Sequence, residues 1–365
     1  MGNTVKNNQG GQRKERNSNL ELLRILAMLL IIASHYVANS GITNLFDVQN
    51  PTTNMVFLQL WGMWGKAAIN IFILISGYFM CKSSLTLNKI LKLYLEVKFY
   101  RIIIFFIMYA MGYQSLGVIE IFKAVFSLLH GFNRGFTGSF FAFYIFIPFY
   151  NLLIQKMNKK NHFSLICMLI FTFTFTGTFM GAPVFHHMGW YMTLYFVASY
   201  IRLYPNEHTE NCKLNFIVLG VVTLLSYMSI IAFDVLHIDM AYYFVVDSHK
   251  IFAFLIGVSA FLAFKNLNIK TNKIINRLSA TTFGVLLIHA NSEAMRTFLW
   301  QDLIKVPQMY NLPLIELFLH ALLSMIGVFV VFSLLDMIRI YVLETPLFKF
   351  LSRRFSILNK PLKCD

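Results

Sequence analysis

A carboxylate, a guanidinium and an imidazole, those of Glu21, Arg24 and His35, interrupt an otherwise apolar stretch from Ser18 to Tyr36. Arg24 and His35 are eleven residues apart. At 3.6 residues per turn that spacing returns to nearly the same helix face about three turns higher, ~16 Å along the axis. The two side chains can therefore line one channel wall. An imidazole deep in an apolar segment needs partners, and an ionisable residue inside a membrane is a candidate for proton handling. Plainer readings stand beside this one. Ser18 followed by Glu21 has the form of a capping box, in which Glu21 would only close the helix start, and Arg24 could extend its guanidinium to the headgroups.

Other residues make weaker constellations. His289, Glu293 and Arg296 are spaced four and three apart, so on a continuous helix they share a stripe. His289 is then a second proton-handling candidate, and Glu293 and Arg296 neutralise each other. Asp336 and Arg339 form an i,i+3 pair of structural character, with Glu344 beyond them, whereas Lys66 has no partner nearby in sequence. Ser76 and Gly77 either let another helix approach closely or mark the thin border of a cavity around His35. Pro148, followed by Asn151, is the site of a proline kink.

Much chemistry is absent. The chain has no Walker loop, dinucleotide-binding glycine fingerprint, His-Glu-x-x-His or Gly-x-Ser-x-Gly. His186-His187 lacks a nearby carboxylate, so no metal site is expected. The four cysteines, Cys81, Cys167, Cys212 and Cys364, show no paired spacing.

The elements that must position these residues follow from composition. Of 365 residues, 57% are hydrophobic and 13% charged, with 38 Phe and a mean hydropathy of +0.62. A soluble domain cannot bury so much apolar surface, and the expected fold is an all-α polytopic membrane protein, one bundle of about ten transmembrane helices. The spans fall near 20–39, 58–80, 93–113, 138–155, 163–181, 189–204, 214–234, 244–264, 279–297 and 314–342. Segment 117–131 could be a surface or re-entrant helix. The formal charge of +15 does not indicate nucleic acid, because the basic residues sit in short loops. Loops and tails on the N-terminal side hold 20 Lys and Arg, against Lys123, Arg134 and Lys305 on the other. By the positive-inside rule both termini are cytoplasmic. Residues 1–19 then form a basic tail, 20–342 the membrane domain and 343–365 a second basic tail. The first span is expected to be retained, and no internal repeat of the kind many transporters carry is visible.

Taken in order, these residues resemble the integral-membrane acyltransferase-3 family, whose members O-acylate cell-surface polysaccharides and related glycans. Glu21-Leu-Leu-Arg24-Ile-Leu-Ala27 with His35 is similar to its opening motif, and Ile73-Leu74-Ile75-Ser76-Gly77-Tyr78 to its second-span signature. Gly284-Val-Leu-Leu-Ile-His289 and Asp336, Arg339 and Glu344 are similar to its late motifs. The resemblance implies transfer of an acyl group, expected to be acetyl from acetyl-CoA, to a sugar hydroxyl of a surface polysaccharide or its lipid-linked precursor. His35 would act as general base or transient acyl carrier, and Arg24, oriented by Glu21, would meet the CoA phosphates or the thioester oxyanion. Where family members often carry Arg-x-Arg after the second span, this chain has Lys92, Lys98 and Arg101 as the other CoA contacts. Ser76, Gly77, His289 and Glu293 would line the substrate channel. The expected partners are acetyl-CoA, a glycan or lipid-linked saccharide acceptor and the bilayer, with no resident cofactor, in a multi-pass protein of the cell membrane. A hydrolase-like domain fused to some members has no counterpart here, so transfer is expected to finish in the membrane domain or on a separate partner. The alternative is a non-catalytic polysaccharide flippase or exporter whose buried charges line a path. A membrane-embedded polymerase is a third reading, weakened by short outer loops.

Overall fold

The computed structural model describes residues 18–119, 121–122, 135–181 and 186–362. Residues 1–17 of the basic N-terminal tail and most of segment 117–131 lie outside them, and Ser18 and Asn19, expected in the tail, already belong to the first helix. Among the described residues the protein is helical, and the one β-bridge joins Thr86 to Pro361. Side-chain caps set many of the helix starts. Thr52 Oγ1 accepts from Met55 N, Asn158 Oδ1 from Asn161 N and Asn211 Oδ1 from Leu214 N, each satisfying a donor that the first helical turn leaves free.

Helix α1 (Ser18–Ala38) is the central element and packs against α2 (Thr53–Gly62), α3 (Gly65–Met80) and later helices. Leu20, Ala27, Ile32 and Tyr36 are fully buried on it. Gly65, at the start of α3, abuts Ser34 near the end of α1, where a Cβ would collide with the serine side chain. The two helices therefore run antiparallel in close contact. Helix α4 (Leu87–Ala110) follows, then α5 (Gly135–Ile145) and α6 (Ile147–Lys156), which meet at a 51° bend. Pro148 sits in the first turn of α6, so the break falls where a proline interrupts the backbone ladder. Helix α7 (Lys159–Phe179) and α8 (His187–Leu203) come next, the latter with Trp190, Tyr191, Leu194 and Tyr195 wholly buried. Helices α9 (Cys212–Val235), α10 (Ile251–Lys265), α11 (Lys273–Ala280), α12 (Thr282–His289) and α13 (Glu293–Thr297) lead to α14 (Leu314–Ile338). Through a π-helical turn, Arg339–Glu344, α14 continues into α15 (Thr345–Arg354).

Large apolar side chains cover the outside of the bundle, among them Phe106 and Ile107 on α4, Val221 and Leu224 on α9, and Leu323 and Leu334 on α14. Hydrocarbon is the solvent that tolerates such a surface. Five helices among the described residues are long and apolar enough to cross a membrane, and the bent α5–α6 pair makes six. The ten expected spans thus include four segments of a different kind: α4 carries several charges, α8 and α10 have 17 and 15 residues, and 279–297 is broken. Three of the expected spans need correction. The span expected at 244–264 begins only at Ile251, because residues 241–250 form turns. The span expected at 279–297 divides into α11, α12 and α13, with a break at 290–292 where Ser292 Oγ caps α13 by accepting from Met295 N. The helix expected to end near 342 runs on to Arg354.

Candidate active site

The last turn of α1 brings His35 to the end of α12, where His289 is the final residue. His35 Nδ1 and His289 Nε2 are 2.9 Å apart, with ring centroids at 5.1 Å and planes inclined by 52°. His289 Nδ1 lies 2.6 Å from the carbonyl oxygen of Val285. A carbonyl only accepts, so Nδ1 of His289 carries the proton and, in the neutral ring, Nε2 is an acceptor. His35 Nδ1 must then be the donor, which leaves the lone pair on His35 Nε2. Trp300 stands edge-on to His289 and to Tyr36, whose hydroxyl is 2.9 Å from His320 Nδ1. Aromatic walls thus back the histidine pair.

His35 opens on a cavity of about 530 Å³ between the ends of α1 and α12, the starts of α3 and α5, and the middle of α4. That volume suits a small-molecule fragment. Among the described residues that line it are three cations, Lys66, Arg101 and Arg296, and no carboxylate. Arg101 donates to the Asn291 carbonyl at 2.7 Å, and Lys66 pairs with Asp247 at 3.6 Å. Ser34, Asn39, Thr137 and Asn291 add uncharged polar groups. An imidazole lone pair beside several fixed cations can take a proton from a hydroxyl and favour the negative charge that develops on a carbonyl oxygen under attack.

The other residues singled out from the sequence lie elsewhere. Arg24 is not among the lining residues; its Nη1 contacts Glu21 Oε2 at 2.8 Å, and Ser279 donates to the same carboxylate oxygen. Glu21 therefore ties α1 to α11. Ser18 Oγ donates to Asn276 Oδ1 and accepts from Asn272 N, so its hydroxyl also serves a tertiary contact with α11. Lys92 is engaged with Glu344 at 2.6 Å, and Lys98 is buried with its ammonium 5.8 Å from the Tyr94 ring centroid. Ser76 Oγ donates to the Phe72 carbonyl. Gly77 is a helix contact, since a Cβ there would lie 3.0 Å from Ala198 Cβ and 3.2 Å from Tyr195 Cα. Glu293 is exposed at the first position of α13 and makes no ion pair with Arg296.

Of the predicted set, the structure thus gathers His35, His289 and Arg101. It adds Lys66 and Arg296, which spacing alone had left without a partner or assigned to Glu293. Asn291-Ser292, a cap-forming pair inside the expected span, is the sequence signal that His289 does not share a continuous helix with Glu293 and Arg296.

The site is thus an imidazole pair facing a cation-lined cavity inside an apolar helical bundle. The family model described as an acyltransferase domain matches residues 17–336. The chain belongs to the acyltransferase-3 family. Searches of curated proteins and of solved structures each found no match.

Proposed function

We propose that this membrane acyltransferase moves an acetyl group from acetyl-CoA to a sugar hydroxyl of a cell-surface polysaccharide or its lipid-linked precursor. The observation that carries this reading is the His35–His289 contact at the edge of a cavity with three cations and no carboxylate among its described lining residues. His35 Nε2 takes the proton of the sugar hydroxyl as the oxygen attacks the thioester carbonyl. The negative charge on that carbonyl oxygen is favoured by Arg101, Arg296 and Lys66. The C–S bond then breaks, and the proton on His35 passes to the departing sulfur to give the free thiol of CoA. His289 holds the His35 tautomer throughout. Arg101 is the best placed of the four proposed CoA-binding cations; Arg24, at the opposite end of α1, is left the phosphate end of the donor.

The same reading places ten crossings in the cell membrane with both termini in the cytoplasm. It is tested by comparing surface glycan from cells carrying the wild-type protein and His35→Ala. The expected result is an unchanged amount of glycan without the acetyl methyl resonance in proton NMR. Retained acetylation with His35→Ala would refute the assignment, and glycan missing from the surface altogether would favour export over transfer.

A further inference from the structure

A second cavity opens at the end of the bundle where α1 and α9 finish and α10 begins. It has a volume of about 510 Å³ and lies between the loop after α1, the face of α2 and the turns at 239–246. Its walls differ in character from those around His35. No Lys, Arg or His is among the described residues that line it; the polar residues are Thr43, Gln59, Asp239, Tyr242 and Tyr243, the last with its hydroxyl given to the Thr178 carbonyl at 2.6 Å, and Phe46 contributes a third ring.

Three buried polar atoms gather on or just behind this wall without a hydrogen-bond partner among the described residues. They are Gln59 Oε1, the Tyr242 hydroxyl and Asp234 Oδ2. Gln59 Nε2 donates to Asp234 Oδ1 at 3.1 Å, so the amide and the carboxylate each turn a second oxygen away from their mutual bond. Gln59 and Asp234 are 4% and 2% exposed, and buried acceptors in native folds are almost always satisfied. Gln59 Oε1 and Asp234 Oδ2 can only accept, and the Tyr242 hydroxyl has one proton to give, so at least one further donor is wanted. With Asp239 at the rim, acidic groups also disfavour an anionic ligand. A molecule that brings hydroxyl donors and presents flat C–H faces to aromatic rings meets each of these requirements, and that is the chemistry of a neutral sugar.

We infer that this cavity is a saccharide subsite, which holds a sugar unit of the acceptor chain while another unit presents its hydroxyl to His35. The inference rests on the proposed acetyl transfer to a glycan only for its role; the binding itself is independent of it. Ala38 and Asn39 at the end of α1 line the one cavity, and Thr43 and Phe46 in the loop that follows line the other, which sets both at the same end of the bundle.

The test uses the full-length protein in lipid nanodiscs with maltotetraose, cellotetraose and chitotetraose as probes, and glycerol and tetramethylammonium as controls, observed by ligand-detected NMR. At least one tetrasaccharide is expected to bind. Tyr242→Phe and Asp239→Asn should each weaken it by about fivefold, the factor of one hydrogen bond. Asp239 is exposed, so its replacement keeps the test valid even where Tyr242→Phe unfolds. His35→Ala should bind the tetrasaccharide with wild-type affinity. Binding that survives in His35→Ala while acetyl transfer is absent from every protein would sink the transferase reading and leave the subsite standing. Failure of all three sugars, wild-type affinity in both cavity variants, or displacement by tetramethylammonium alone would overturn the subsite.

Discussion

A hydrogen bond between two imidazoles has a direction, and here the Val285 carbonyl sets it. Because that oxygen fixes the proton on His289 Nδ1, His289 Nε2 works as an acceptor and His35 presents a free Nε2. Replacing His289 by Gln keeps an oxygen acceptor within reach of His35 Nδ1, and replacing it by Phe keeps the bulk without the acceptor. His289→Gln should therefore retain roughly a tenth or more of the transfer rate, whereas His289→Phe should lose on the order of 100-fold, the scale of a mispositioned general base. Steady-state rates of acetyl transfer by the two purified variants decide this, and equal rates would reject the assigned direction. Charge at the cavity gives a second prediction. Arg296 lines the cavity and Glu293 is exposed without pairing to it, so Arg296→Gln should reduce kcat/KM by about tenfold, the order of one charge-assisted contact. Glu293→Gln should leave it unchanged. Matched losses in the same assay would mean that the two side chains act as a pair. His35 was legible from sequence because a lone imidazole in an apolar run demands an explanation. His289 was legible as a second candidate, but its contact with His35 was not, since the two are 254 positions apart. The stripe expected to join His289 to Glu293 and Arg296 fails for a related reason: such spacing means proximity only while the helix is continuous, and this one breaks at 290–292, whereas Glu293 and Arg296 share α13 and still do not pair.

The elements that hold the histidine pair depend on a buried ionic cluster behind α12. Gly284 lies so close to the Asp336 carboxylate that any Cβ there would overlap it. Asp336 in turn accepts from the Tyr100 hydroxyl at 2.6 Å and from Arg339 Nε at 2.7 Å. The Arg339 guanidinium also contacts Glu344 at 2.7 Å and Glu96 at 2.9 Å, which joins α4, α14 and the π-helical turn around one cation. The Asp336–Arg339 pair was visible as a spacing in the sequence. Glu96, which α4 supplies from 243 positions away, was not. Replacing Arg339 by Met leaves three carboxylates without their central cation, and breaking a buried pair in this way costs about 3–5 kcal/mol. A clear fall in Tm of the detergent-solubilised protein, with loss of acetyl transfer, is expected. An unchanged Tm would show that the cluster does not hold α12 in place.

At the scale of the whole molecule the question is how many times the chain crosses the bilayer. Only the long apolar helices, α1, α2–α3, α5–α6, α7, α9 and α14, would give six crossings. In that order α4, α8, α10 and α12 do not cross, and the loops that carry Lys156, Lys159 and Lys160, and Lys265, Lys270, Lys273 and Arg277, fall outside the cytoplasm. That arrangement opposes the positive-inside rule. It also separates by a membrane two regions that touch, because Asn19 Nδ2 at the start of α1 donates to the carbonyls of Lys265 and Leu267 at 2.8 and 3.2 Å. Ten crossings remove both conflicts, since the charged, short and broken helices can cross where neighbouring helices shield them from lipid. The two orders assign opposite sides to three described positions, Ser115 and Asn268 on loops and Asn161 in the first turn of α7. With native cysteines replaced, Ser115→Cys should react with a membrane-impermeant maleimide on intact cells, and Asn161→Cys and Asn268→Cys only after permeabilisation. Six crossings require the reverse at all three, so the pattern of labelling tells the two topologies apart and fixes the face of the membrane nearer to His35.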